Sequence, residues 1–251
     1  MTGDWGWDQL LVSAVSMLTG SVVLGTVGFG MGLTAAPVML TLIDPVTVVV
    51  SLNTLGLMMY SLALYQSKAH LEFKSTTPTA LAGLLALPIG IILLTIIDFG
   101  ILRLTIALGI LFFAIGFTLK IQYVLPKFKG GGVLVGFIVG LLLVTLGIGG
   151  PILVIFLLSM GANKETYRAN IAYFMVIVEL GCIVGYILGG MFSFNVLTLI
   201  GFMVVPMLVG YVISKSIFYK LNENAFRNTV TIVIIAGSFI VITKEIFAHL
   251  N

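Results

Sequence analysis

"GFGMGLTAAP" spans residues 28–37, and a second tract, "GIGGP", spans residues 147–151. Both lie inside long apolar sequence. Gly and Pro in a helix interior cost about 1 and 3 kcal/mol relative to Ala. Each tract is therefore expected to break a helix in the middle of greasy sequence. Backbone without helical bonds is tolerated at membrane depth only beside protein or a water-filled cavity. Two such breaks in one chain predict a shared internal site.

The rest of the chain sets the context for those breaks. It has 251 residues, 60% of them hydrophobic and 8% charged, with a mean hydropathy of +1.23. A soluble domain carries about 25% charged residues. The sequence instead supplies many segments near the ~20 residues that cross a bilayer. The reading is an all-α polytopic membrane protein, a single transmembrane domain over residues 1–251. The opening "MTGDWGWDQLL" has no basic stretch, so no cleaved signal peptide is expected. Trp5 and Trp7 read as interfacial belt residues. A single cysteine, Cys182, excludes an internal disulfide and a multi-cysteine metal site. The net charge of +3 does not point to nucleic acid, because the basic residues lie in short loops.

Apolar segments fall at 9–27, 33–43, 46–66, 78–97, 101–119, 131–146, 151–162, 169–187, 193–214 and 228–247. Slid along itself by 119 positions, the chain puts Gly28 on Gly147, Gly30 on Gly149, Asp44 on Asn163 and Thr47 on Thr166. Two repeats are expected, 9–119 and 131–247. Ten of the twelve Lys and Arg residues mark four loops: Lys68 and Lys74; Lys120, Lys127 and Lys129; Lys164 and Arg168; Lys215, Lys220 and Arg227. Loops rich in Lys and Arg stay cytoplasmic. Loops that correspond at the 119 offset carry opposite bias, so the repeats should be inverted, as in many secondary transporters. The N-terminus is then outside.

Residues 9–43 must go in and come back. At 1.5 Å per residue they reach only about 52 Å, and two crossings need about 60 Å. The expected unit is a tight hairpin with its glycine break near the tip, followed by three plain spans. The whole protein would count eight to ten helices.

At a glycine break the free N–H groups and the helix dipole favour an anion without any charged side chain. The candidate binding residues are Gly28, Gly30, Gly32 and Thr34 at the first break, and Gly147, Gly149 and Gly150 at the second. The competing reading of these glycines is close helix packing. Asn53, about 13 Å into its span, is either a ligand donor or a helix–helix hydrogen bond. Arg168 and Asn170 open the corresponding span of the second half. The Arg fork suits sulfite or sulfonate oxygens, but a headgroup anchor explains Arg168 as well. Tyr173 either caps a pocket or packs. Glu179 is the only acid deep in a span and is the proton-coupling candidate. It shares a helix face with Arg168 at about 16 Å. His70 and His249 read as solvated.

The two glycine tracts, with "YRAN" at 167–170, resemble the sulfite exporter TauE/SafE family. Its members carry a Gly-x-Gly-Gly-Gly stretch followed by Pro, and a second Gly-x-Gly-Gly near the middle. Here Met31 replaces the middle glycine, and Pro151 follows "GIGG" directly. The resemblance covers nearly the whole chain. It implies export of sulfite or small organosulfonates across a prokaryotic inner membrane.

Three function classes compete. A secondary anion transporter, coupled to protons or to the membrane potential, uses both breaks and the repeat. A cation or metal permease would want several intramembrane acids, His residues or a Met path. An intramembrane enzyme would need a nucleophile with a base, or metal ligands, and no such set is present. The expected partners are a small anion, the lipid bilayer and a second copy of the chain in a homodimer. No metal or cofactor is expected.

Overall fold

A computed structural model describes residues 5–98, 100–102, 104–106, 108–109, 130–160 and 163–220. Among these, the regular structure is helical: α1 (Trp7–Val27), α2 (Met31–Met39), α3 (Pro45–Ser67), α4 (Phe73–Ile96), α5 (Gly131–Leu146), α6 (Gly150–Ser159), α7 (Lys164–Leu188) and α8 (Phe194–Lys220). A 3₁₀ turn, Lys68–His70, links α3 to α4 and is exposed. The helices α1, α3, α4, α7 and α8 are long and apolar enough to cross a membrane. Most of the expected span 101–119, all of 228–247, and the basic residues Arg103, Lys120, Lys127, Lys129, Arg227 and Lys244 lie outside the described residues.

Helix boundaries follow local chemistry. Asp44 caps α3 by accepting from the Thr47 N–H at 2.8 Å, and Asn163 caps α7 by accepting from the Thr166 N–H at 2.9 Å. A polar side chain at the N-cap satisfies one of the first free N–H groups. Two helices start earlier than their apolar runs suggest, α4 at Phe73 and α7 at Lys164. Their first turns are polar, so hydropathy alone places the starts too late. The first break is also narrower than the glycines imply, because Met31 and Gly32 are already helical. Pro37 is not part of it; it sits inside α2. Pro151 occupies the first turn of α6, where a missing N–H costs little.

Corresponding boundaries keep a constant separation. α1 ends at Val27 and α5 at Leu146; α2 begins at Met31 and α6 at Gly150; α3 begins at Pro45 and α7 at Lys164. Each pair is 119 positions apart, as are the caps Asp44 and Asn163.

The side chains that touch fix the packing. α2 folds back along α1, with Met31 and Ala35 over Gly20, and the Gln9 Nε2 donates to the Leu42 carbonyl at 3.0 Å. This hairpin opens at the end that holds Trp5 and the start of α8, where the Trp5 indole donates to the Asn195 carbonyl at 3.0 Å. α1 runs beside α8, with Gly25 against Ser214 and Gly210 against Leu18 and Ser21. α5 runs beside α4 in the same manner, with Gly136 against the Thr79 carbonyl and Gly140 against Gly83. Small residues let such helices approach closely, which is what binds helices together in lipid. α3 and α7 cross the centre antiparallel, shown by contacts of Gly56 with Glu179 and Asn53 with Tyr186. Every described Lys and Arg lies at the other end of the bundle: Lys68, Lys74, Lys164, Arg168, Lys215 and Lys220. Large apolar side chains such as Leu85, Ile96 and Leu188 cover the outside, as lipid contact requires.

Candidate functional site

Both helix breaks meet in the middle of the molecule. A Cβ on Gly32 would overlap the Gly147 carbonyl oxygen, and one on Gly150 would stand 3.0 Å from the Phe29 Cβ. Gly28 and Gly30 hold left-handed backbone at φ 86° and 97°, and Gly147 does so at 68°. Such angles favour Gly. Gly28 closes α1 with an N–H bond to the Leu24 carbonyl at 2.7 Å, and Gly147 closes α5 with the same bond to Leu143 at 3.0 Å.

Each break leaves a helix C-terminus with orphan carbonyls. Side chains from the central pair of helices satisfy them. The Tyr167 hydroxyl donates to the Val27 carbonyl at 3.3 Å. The Tyr186 hydroxyl donates to the Val144 carbonyl at 2.8 Å and accepts from the Asn53 Nδ2 at 2.7 Å. The Asn53 Nδ2 also donates to the Leu143 carbonyl at 3.0 Å. Asn53 is 2% exposed, and both hydrogens of its amide nitrogen bridge helices in this conformation.

The two helix N-termini, at α2 and α6, face a small cavity. Its wall includes Gly30, Gly32, Asn53, Gly147, Gly149, Gly150, Tyr60 and Glu179. No side chain caps the start of α2. Among the described residues, no Lys, Arg or His lines the cavity. Its volume of about 20 Å³ admits one water, less than a four-heavy-atom anion needs. Glu179 is 2% exposed, lies against Gly56, and its Oε2 has no hydrogen-bond partner. Among the described residues, no group of three or more His, Cys, Asp or Glu side chains is placed to hold a metal ion.

A family model described as sulfite exporter TauE/SafE matches residues 12–240. The chain belongs to the sulfite exporter TauE/SafE family. This is a family of membrane transporters, not of enzymes. No curated protein and no solved structure matches the chain.

The remaining candidates of this TauE/SafE chain lie elsewhere. The Thr34 hydroxyl bonds its own helix, at the Gly30 and Met31 carbonyls. Gly28 sits behind the tip, against the Tyr167 ring. Arg168, Asn170 and Tyr173 lie near the basic end of α7, away from the central cavity. Arg168 is 7% exposed, too buried for a side chain spread into headgroups. Asn170 accepts from the Glu72 N–H at 3.0 Å, and Tyr173 shares a hydrogen bond with the Thr77 hydroxyl at 3.1 Å. Asn170 also lines a second cavity of about 100 Å³ between α4, α6 and α7, with Glu72, Ser75, Thr76 and Thr79.

Sequence reasoning missed Tyr60, Tyr167 and Tyr186. One signal was available for Tyr60, which falls on Glu179 when the chain is slid by 119 positions.

Proposed function

We propose that this protein is a secondary transporter that exports a small anion, sulfite or a small organosulfonate, by alternating access. The two repeats, 9–119 and 131–247, are inverted in the membrane. Each contributes a broken hairpin whose second helix aims its N-terminus at the shared cavity. The observation that carries this reading is the convergence of the α2 and α6 N-termini on a cavity with no basic side chain among the described residues. Backbone N–H groups at such termini bind anions, and the dipole adds roughly +0.5 charge at each. The small cavity volume fits a closed, unloaded conformation, and opening toward either side admits the substrate. The basic end faces the cytoplasm under the positive-inside rule, which puts the N-terminus outside in a prokaryotic inner membrane.

The test is sulfite flux into proteoliposomes. Gly30→Val and Gly149→Val should abolish it while the protein remains monodisperse in detergent. Normal flux in both variants would make these packing glycines and remove the anion site. Glu179 on the wall favours a cation instead. Sodium or divalent-ion flux that sulfite does not alter would support that alternative. Orientation has its own check: in a Cys182→Ser background, a cysteine at Ser193 should react with an impermeant thiol reagent in intact cells, and one at Ser75 should not.

A further inference from the structure

Glu179 presents a charge problem that the anion reading leaves unsolved. Its carboxyl lines the same cavity as the two helix N-termini, is buried, and leaves Oε2 unpartnered. An ionised carboxylate and a bound anion would repel across a few ångströms in a dry site. Among the described residues, the neighbours offer no compensating cation. From α3 the facing titratable group is Tyr60, and on α7 itself Cys182 and Tyr186 lie nearest. α4 meets this part of α7 with Gly83, Leu84 and Leu87. α2, α5, α6 and the α5–α6 break add Met31, Leu33, Leu143, Pro151 and Ile148 to the cavity wall, none of them titratable. Arg168 is about 16 Å away along the helix.

The two N-termini on the cavity wall favour negative charge there, and the α1 and α5 C-termini at the same breaks oppose it. The site therefore has little to offer beyond one negative charge. In the unloaded protein the Glu179 carboxylate supplies it. In the loaded protein a bound monoanion supplies it, provided Glu179 carries a proton.

Resting on the anion reading, we infer that Glu179 takes up one proton as a monoanion binds, so that anion and proton cross the membrane together. Carboxylate and substrate are alternative occupants of one positive site. The cycle moves no net charge with a monoanion, and a dianion is disfavoured because one proton leaves its second charge uncompensated.

Methanesulfonate is the probe, because it does not titrate near neutral pH as sulfite does. Purified protein in weak buffer with a pH indicator should take up about one proton per methanesulfonate bound, the sign of linked equilibria. E179Q should bind methanesulfonate with no proton uptake. Sulfate, the same tetrahedral shape with a second charge, should compete at least tenfold more weakly. In proteoliposomes an inward-acid pH gradient should change methanesulfonate flux, and a potassium diffusion potential alone should not. Binding by the wild type without proton uptake would overturn the inference and leave the anion site standing. So would equal competition by sulfate, or flux driven by the potential alone. These readings use the wild type and stand if E179Q does not fold. Failure of the wild type to bind sulfite as well as methanesulfonate would sink the anion reading itself and the linkage with it.

Discussion

The two hairpins end in glycine breaks of the same length, but the glycines serve different ends in each. The α1–α2 break uses Gly for its backbone angle: Gly28 and Gly30 are both left-handed, and a Cβ on Gly28 would meet only the Tyr167 ring at 3.5 Å, an ordinary contact. The α5–α6 break has one left-handed glycine, Gly147. Its Gly149 is there for space, since a Cβ would stand 2.8 Å from the Val139 carbonyl oxygen. The N-termini differ as well. Pro151 removes an N–H from the first turn of α6, whereas α2 begins Met31-Gly32-Leu33 with every N–H present. A shared motif therefore does not mean a shared constraint. The first break is set by conformation and the second by packing, and the first offers more donors to a ligand.

The largest effect should come where the breaks touch. Gly32→Val drives a branched side chain into the Gly147 carbonyl. Backbone cannot step aside as a flexible side chain does, so the cost should exceed the roughly 1–3 kcal/mol usual for overpacking. Loss of sulfite flux together with a lowered melting temperature is expected. An unchanged melting temperature would show that the tips do not press on one another.

A gentler pair separates angle from space. Asn tolerates left-handed backbone better than other non-Gly residues. Gly28→Asn should keep most of the flux, and Gly149→Asn should lose it. Equal losses would erase the difference between the breaks.

The smallest effect concerns the tyrosines that cap the two C-termini. Tyr186→Phe leaves Val144 without its donor and Asn53 without one acceptor. A loss of about 1–3 kcal/mol is expected for buried groups left unpaired. Tyr167→Phe removes the long bond at 3.3 Å to Val27, and that bond is worth about 0.5–1.5 kcal/mol. Thermal unfolding in detergent ranks them, and the reverse order would mean that the first break depends more on its cap.

Much of this arrangement was legible because it rests on residues with few alternatives. Gly28 and Gly147 read either as helix breaks or as packing glycines, their recurrence at one offset favours breaks, and both end helices. Asp44 and Asn163 are short polar groups before apolar runs, and both cap helices. Glu179 stood out because a membrane acid is costly, and it lies on the cavity wall. The tyrosines were invisible for the opposite reason. A Tyr in apolar sequence fits a belt or a core equally well, and only the fold shows that Tyr186 reaches a carbonyl on α5. Asn53 drew two readings, and its amide nitrogen is engaged by the helix–helix one here. Arg168 and Asn170 matched a motif in sequence, but α7 is long enough to carry its first turns to another level of the bundle.

The pairing of α1 with α8 also bears on how the chain is made. Trp5 bonds Asn195, 190 residues later, and Gly25 meets Ser214. A chain emerging from the ribosome inserts α1 long before its partner exists. Until α8 is synthesised, the face of α1 that carries Ser21 and Gly25 has no helix to close against. The first hairpin is thus the first to be made and among the last to be finished, and a chain stopped before residue 194 would leave that seam open to lipid. Contacts of such sequence separation are slow to form, so assembly of the transporter is timed by its eighth described helix.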